Sequence, residues 1–214
     1  MDDKTLIARR VARELKPGQL VNLGIGLPTL VARYLPEGVE VFFHSENGLI
    51  GMSPLPDEAL ASGDLSDAGG SPVGAIPGSA ALDSALSFGL IRGGHLDVTV
   101  LGGLQVDENG QLANWMVPGQ RIPGMGGAMD LVTGARRVIV SMTHTAKGKA
   151  KIVPRCNLPL TSLRRVDLIV TELAVIEPTP EGLVLREIAS GTTVEAVRAA
   201  TAARLHVKGE VAFI

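Results

Sequence analysis

Residues 19–48 have the sequence QLVNLGIGLPTLVARYLPEGVEVFFHSENG, in which two apolar runs enclose a glycine-containing turn and a Pro28-Thr29 pair. Proline at an early helical position lacks an N–H that would have no helical partner anyway, so this pair predicts the start of a helix. The patterns predict four elements in order: a strand at residues 19–23, a turn at Gly24-Ile25-Gly26, a helix from Pro28 to about Tyr34, and a strand at residues 39–44. The second strand leads into Ser45-Glu46-Asn47-Gly48.

Similar patterns continue on both sides. They predict an amphipathic helix at residues 3–16 capped by Asp3, a second helix at 80–91, and apolar strands at 97–101, 137–142 and 167–171. Towards the end of the chain they predict a hairpin at 175–188 with its turn at 179–182. A last helix, opened by Thr192 and Glu195 and ending near 204, and an edge strand at 205–214 follow. Residues 51–78 are rich in Gly, Pro, Asp and Ser and predict a long functional loop, with one short strand at 73–76. The chain is therefore expected to form one α/β domain over residues 1–214, with a mostly parallel open sheet flanked by helices.

Composition excludes several classes of protein. Net charge is −2 with no basic run, which argues against nucleic-acid binding. The single cysteine, Cys156, cannot form an internal disulfide, and this favours a reducing compartment. The start MDDKTLIARR lacks the features of a secretory signal, and the apolar runs are too short to cross a membrane. We expect a cytoplasmic protein that does not associate with membranes.

The glycine turn after the first strand is one candidate ligand site. Gly24 and Gly26 lie between a strand and a helix, where backbone amides and the helix dipole favour an anion. Glu46 follows at about the distance expected in a dinucleotide fingerprint, but Thr29 occupies the third glycine position and Pro28 removes an amide donor. A generic ligand loop and a tight structural turn both stay open.

The second candidate is His44-Ser45-Glu46-Asn47-Gly48. A carboxylate at the carboxyl end of a parallel strand lies where ligands bind in open α/β sheets. Gly48 would let the turn project Glu46 into the crevice, and Asn47 would orient that carboxylate or satisfy a buried amide. A solvated turn residue is the alternative. A zinc-deaminase interpretation of His44 and Glu46 fails because it needs two further cysteines.

The third candidate is Gly124-Met125-Gly126-Gly127-Ala128-Met129-Asp130, whose consecutive glycines can present N–H groups to an oxyanion. A connecting loop is the alternative. The remaining histidines, His95, His144 and His206, have no metal-ligand spacing and are expected to be structural. No metal site is expected.

Several segments together resemble the class I CoA-transferases. They occur in family order from about residue 5 to residue 205: NLGIGLPT at 22–29, SENGLIG at 45–51, IRGGHLD at 91–97, LANWMVPG at 112–119, GMGGAMDLV at 124–132 and CNLPLT at 156–161. The resemblance is to the β subunit of two-subunit 3-oxoacid CoA-transferases.

This resemblance implies a ping-pong reaction in which Glu46 carries first the acyl group and then CoA. The amides near Gly126, Gly127 and Ala128 would stabilise the oxyanion or bind CoA. Gly24, Gly26, Ser45, Asn47 and Gly48 would line the site. A coenzyme A thioester would be a substrate, with no permanently bound cofactor, and an α subunit would complete the enzyme as a heterodimer or α2β2 assembly.

The resemblance also bears on the substrate. Gly70 stands where many succinyl-CoA-dependent relatives have Lys, so acetate or butyrate with acetoacetate is the expected acid pair. Arg92 or an α-subunit residue would supply the missing charge if the substrate were succinyl-CoA or 3-oxoadipate. From a different class, a nucleotide- or sugar-phosphate-binding module is the alternative.

Overall fold

The computed structural model describes residues 1–55, 57–119, 124 and 126–214. In this part of the chain there are four α-helices, α1 (Asp3–Ala12), α2 (Ser84–Arg92), α3 (Ala128–Gly134) and α4 (Val194–Ala200), and two 3-10 helices, Leu27–Tyr34 and Glu58–Leu60. The strands are β1 (Leu20–Leu23), β2 (Phe42–Ser45), β3 (Leu49–Ser53), β4 (Gly74–Ala81), β5 (Val98–Gly102), β6 (Gln105–Asp107), β7 (Leu112–Ala113), β8 (Arg137–Ser141), β9 (Thr145–Ala146), β10 (Lys149–Ala150), β11 (Ile152–Val153), β12 (Leu168–Val170), β13 (Ala174–Thr179), β14 (Gly182–Ile188) and β15 (Leu205–Phe213).

Ten strands form one sheet in the order β15-β14-β13-β12-β8-β5-β1-β2-β3-β4. Its centre, β12-β8-β5-β1-β2, is parallel throughout. Antiparallel strands extend it on both sides, and β15 runs parallel to β14 at one edge. The predicted mostly parallel α/β fold is confirmed, as are the hairpin and the last edge strand.

Both faces of the central strands are buried, which explains their continuous apolar sequences. Along β8, Val138 and Val140 belong to one hydrophobic cluster and Ile139 belongs to the other. The first cluster includes Ile91 of α2, Leu131 of α3 and Val197 of α4. The second includes buried residues of α1 and of the 3-10 helix Leu27–Tyr34, so the helices cover the two faces separately.

At the start of three helices, the capping residue or the first helical residue differs from the prediction, because local caps override the apolar periodicity. Asp2 rather than Asp3 caps α1, since its Oδ1 accepts from Thr5 N at 3.0 Å. Asp83 caps α2 by accepting from Leu86 N at 2.8 Å, so the helix begins at Ser84 instead of residue 80. Thr193 rather than Thr192 caps α4. Of the predicted extents, α1 ends at Ala12 instead of 16, and α4 ends at Ala200 instead of 204.

The prediction of a long loop at residues 51–78 is wrong at its start, where β3 continues to Ser53, whereas the strand predicted at 73–76 is confirmed and extends further, as β4. β3 and β4 pair with each other there as an antiparallel extension of the sheet. Glycine content concealed this pairing: a Cβ on Gly51 would lie only 2.9 Å from Ser79 Cβ, so the two strands approach through a glycine. Pro77 and Gly78 lie in β4 at the sheet edge, a position where such residues discourage pairing with another chain.

Within the described residues, no helix has the length and apolar character needed to cross a membrane. Nor do those residues contain a group of three or more His, Cys, Asp or Glu side chains arranged to hold a metal ion. His144 is structural as predicted: it is fully buried, with Nδ1 2.9 Å from Thr171 Oγ1 and Nε2 2.8 Å from Thr201 Oγ1.

Candidate active site

Glu46 follows the last residue of β2 at the carboxyl end of the parallel strands and is half-buried. Asn22 on the neighbouring strand β1 donates from Nδ2 to Glu46 Oε2 at 3.1 Å and to the His44 carbonyl oxygen at 3.2 Å. Thr99 Oγ1 in turn donates to Asn22 Oδ1 at 3.3 Å. A fully buried amide, itself oriented by a third strand, therefore holds the carboxylate.

The sequence analysis did not assign a role to Asn22. The sequence does contain a signal for its role, because Asn22 places a carboxamide inside the apolar run 19–23. A buried polar side chain of this kind needs a hydrogen-bond partner. The parallel register places Asn22 opposite His44, and this pairing brings it within reach of Glu46.

The turn after Glu46 depends on Gly48. Its φ of +124° is one that residues with a side chain rarely adopt, and a Cβ there would collide with the Leu82 carbonyl oxygen. Gly48 also accepts from Leu82 N at 2.7 Å and donates to Ser45 O at 2.9 Å. Hydrogen bonds thus fix the backbone at Ser45 and Gly48, on either side of Glu46, and position 48 has no room for a side chain.

The third candidate segment lies against Glu46, although the two are far apart in sequence. A Cβ built on Gly127 would be 3.2 Å from Glu46 Cγ and 3.4 Å from Oε1, so the glycine permits this contact. Gly127 precedes α3, whose first residue is Ala128, and Gly126 has a φ of +51°. Met125, part of the predicted segment, lies outside the described residues, as do residues 120–123 of the loop before it.

Phe88 of α2 packs against Gly127 on the same side as Glu46. Its Cζ would lie 3.2 Å from a Cβ on Gly127. Arg92 stacks 5.6 Å from the Phe88 ring centroid and donates to Asp130 Oδ1 at 2.7 Å, which ties α2 to α3. Because Arg92 is already paired, it is a poor source of the substrate-binding charge that the sequence suggested for it.

The two residues that flank Glu46 bind the loop at residues 66–68. Ser45 Oγ accepts from Ala68 N at 2.9 Å, and Asn47 Nδ2 donates to Ser66 O at 2.8 Å. Asn47 is exposed and makes this contact in place of the expected ones to the Glu46 carboxylate or to a buried amide. Ser45 and Asn47 hence hold the loop beside the carboxylate.

A cavity of about 390 Å³ lies between this loop, β2 and the turn after β1. Its wall is mainly apolar, and the larger apolar side chains are Leu23, Ile25, Leu30, Phe43, Met52 and Val73. The polar side chains in the lining are Thr29, Arg33, Ser45, Glu46, Ser53, Asp67 and Ser71. A carboxylate at the edge of an apolar cavity is suited to meeting the uncharged polar end of a ligand whose hydrocarbon tail fills the cavity.

Gly24 and Gly26 also line the cavity, but their turn is poorly suited to binding an anion. Gly24 N is paired with Val100 O at 2.8 Å. The Gly26 carbonyl accepts from both the amide and the hydroxyl of Thr29, and a 3-10 helix follows instead of the expected α-helix. The dinucleotide interpretation loses its geometric basis.

His44, two residues before Glu46, is 1% exposed and bonds through Nε2 to Ser87 Oγ at 3.0 Å. Burial lowers the pKa of His44 from 6.5 to about 4. Burial, with a smaller contribution from the charge of Lys151, lowers the pKa of His144 to about 4 as well. Both imidazoles are consequently neutral in the folded protein near neutral pH.

Because the pKa values of these two histidines are lowered, we expect the fold to lose stability as the pH falls below about 6.5. The unfolded chain takes up their protons near pH 6.5, so their contribution is complete above that pH and is lost as the pH falls towards 4. Going from about pH 7.5 to about pH 5 should lower the free energy of unfolding by roughly 2 kcal/mol per histidine. Urea unfolding at both pH values measures this loss. His144→Gln should remove about half of it, and equal stability at the two pH values would contradict the assignment.

The fold and this site define an open α/β-sheet protein that presents a carboxylate, Glu46, at the carboxyl edge of its parallel strands. The chain belongs to the Coenzyme A transferase family, whose model matches residues 4–200. It is therefore an enzyme of the CoA-transferase type.

Known proteins agree with this assignment. The beta subunit of acetate CoA-transferase from Escherichia coli K12 is 57% identical over 212 residues, 99% of this chain and 97% of the relative. A subunit of the succinyl-CoA:3-ketoacid coenzyme A transferase from Helicobacter pylori 26695 is 47% identical over 203 residues, 94% of this chain and 98% of the relative. The apoenzyme of the acyl-CoA transferase YdiF from E. coli O157:H7 superimposes with a TM-score of 0.80 at 25% identity; all of this chain matches 43% of that one.

Proposed function

We propose that this chain is the β subunit of an acyl-CoA:3-oxoacid CoA-transferase that exchanges CoA between short-chain acids and acetoacetate, with Glu46 as its nucleophile. One observation carries the proposal: the Glu46 carboxylate is held by Asn22, lies against the Gly127 backbone and borders an apolar cavity. The acetate and 3-ketoacid substrates in the relatives' names support the choice of acids.

In the first step, a Glu46 oxygen attacks the thioester carbonyl carbon of the acyl-CoA. The C–S bond breaks, CoA leaves as a thiolate, and an acyl-glutamyl anhydride forms. The tetrahedral intermediate carries an oxyanion, and backbone N–H groups stabilise such a charge. The amides of Gly127 and Ala128 are suited to this role, because they donate to no other group in the described part of the chain.

In the second step, the CoA thiolate attacks the Glu46 carbonyl carbon of the anhydride. The donor acid leaves as its carboxylate, and a glutamyl-CoA thioester remains. The acceptor acid then repeats both steps in reverse and regenerates the free Glu46 carboxylate. Covalent relay replaces one difficult exchange by several easier ones, and a carboxylate can carry either group and return unchanged.

The cavity beside Glu46 is our candidate for the binding site of the acyl group. Its wall is mainly apolar, and burial of each methylene contributes about 0.8 kcal/mol to binding. Gly70, in the loop at the cavity, has no charge and a φ of +81°, a conformation that a lysine would adopt only with strain. These features favour an acyl group whose tail carries no second carboxylate.

Succinyl-CoA transfer is the second candidate, and Arg33 is the observation that favours it. This exposed guanidinium lines the same cavity and is suited to pairing with the second carboxylate of a succinyl group. Comparing acetate, butyrate and succinate as acceptors decides between the two.

We also propose an α subunit as partner, in a heterodimer or an α2β2 assembly. The E. coli and H. pylori relatives are named as one subunit of a larger enzyme, and the YdiF chain is more than twice the length that this chain matches. A subunit of this kind would be inactive or nearly so when isolated.

The test is to trap the glutamyl-CoA thioester. The co-expressed complex is incubated with acetoacetyl-CoA and then treated with borohydride, which reduces a thioester but not a free carboxylate. The expected result is a mass loss of about 14 Da on the peptide that holds Glu46, since the reduced acyl group becomes an alcohol. This chain alone serves as the control and should stay unmodified. An unchanged mass in a complex that catalyses transfer would refute the covalent role of Glu46.

A further inference from the structure

A buried hydrogen bond joins the strand that precedes Glu46 to helix α2. His44 in β2 is 1% exposed, Ser87 in α2 is fully buried, and His44 Nε2 lies 3.0 Å from Ser87 Oγ. The other imidazole nitrogen, Nδ1, is buried and has no hydrogen-bond partner among the residues that the structure describes.

Stability alone does not account for this pair. An unpaired polar atom in the interior costs about 1–3 kcal/mol, whereas apolar groups of the same shape in place of both partners would be nearly neutral. In the described part of the chain, His44 thus keeps an unpartnered buried nitrogen two residues from the carboxylate, which is a cost to stability at the edge of the site.

The contacts of Ser87's neighbour connect the pair to the glycine turn. Phe88 packs against Gly127, and Gly127 packs against Glu46. Glu46 is thus carried by β2, while the turn that faces it rests on α2. Across the described ranges, His44–Ser87 is the side-chain hydrogen bond that joins these two elements.

We propose that His44 and Ser87 are positioning residues, whose hydrogen bond sets the distance between the Glu46 carboxylate and the amides that follow Gly126. The inference rests on the proposed function. It adds a second anchor to Asn22: Asn22 holds the carboxylate from β1, and His44 holds the strand end against α2.

Distance matters here because nucleophile and oxyanion donors act on the same carbonyl group. Misplacement by about 1 Å costs on the order of 100-fold in rate. Amide donors stabilise an oxyanion only when they are already in place as the charge forms. Loosening β2 from α2 should therefore slow both covalent steps without removing any group that binds CoA.

The test compares Ser87→Ala with a matched control, Thr201→Val. Thr201 Oγ1 lies 2.8 Å from Nε2 of the second buried imidazole, His144. Neither Thr201 nor His144 lines the cavity that Glu46 borders. Both variants, assembled with the α subunit, should lose thermal stability to a similar degree. Ser87→Ala should lower kcat by about 10–100-fold with KM changed less than about twofold. Thr201→Val should retain kcat, and Ser87→Thr, which keeps a hydroxyl, should restore most of the Ser87→Ala loss.

The inference is overturned if Ser87→Ala keeps its kcat, or if Thr201→Val loses as much kcat as Ser87→Ala does. The proposed function has a separate test in Glu46→Gln. If Glu46→Gln is inactive and Ser87→Ala is fully active, only the positioning role fails. If Glu46→Gln transfers CoA normally, both fail.

Discussion

Glu46→Gln should lower kcat for CoA transfer from acetoacetyl-CoA to acetate by at least about 10⁴-fold, because removal of a covalent nucleophile costs effects of this order. The amide that replaces the carboxylate is neutral and nearly isosteric. Its oxygen can still accept from Asn22 Nδ2, so the fold should be retained. Steady-state rates of the assembled complex, with its thermal midpoint and CoA affinity, measure the effect.

Two further variants sharpen this experiment. Glu46→Asp keeps the charge but withdraws it by one methylene from the position beside Gly127, and a loss of about 100-fold is expected. Glu37→Gln removes an exposed carboxylate and should leave the rate unchanged. Transfer by Glu46→Gln at near the native rate would exclude the acyl-glutamyl mechanism.

Gly48→Ala should destabilise the fold by about 3 kcal/mol or more and abolish transfer in whatever protein still folds. The added Cβ meets the Leu82 carbonyl oxygen at a φ of +124°. The strands cannot separate to relieve this contact without breaking the 2.7 Å hydrogen bond from Leu82 N to Gly48 O. Since Gly48 lies two residues after Glu46, any relief also displaces the carboxylate.

Gly78→Ala is the matched control for this prediction. Gly78 has a φ of +85°, and a Cβ there would meet nothing within 4 Å. It should cost only about 1 kcal/mol, the strain of the backbone conformation alone, and preserve transfer. Urea unfolding and kcat separate the two variants. Equal losses in Gly48→Ala and Gly78→Ala would show that the collision with Leu82 is relieved cheaply.

Periodicity predicted the central sheet because its strands are buried on both faces and therefore carry continuous apolar runs. It missed β3 and gave only the first part of β4, where glycine and proline accommodate a close strand approach and a sheet edge. Both residues normally signal a loop, so tertiary pairing overrode the local preference.

The sequence by itself determined the family, and it predicted the carboxylate Glu46 and the glycine segment that begins at residue 124 as site residues, since these reside in short contiguous motifs. Only the tertiary structure decided which groups meet. Asn22 reaches Glu46 through the register of β1 and β2, Gly127 reaches it from a segment 81 residues away, and Ser87 reaches His44 from a helix on one face of the sheet. Asn47 binds the neighbouring loop rather than the carboxylate. Spacing along the chain carries no information on such contacts, because they depend on strand order and on how helices pack across the sheet.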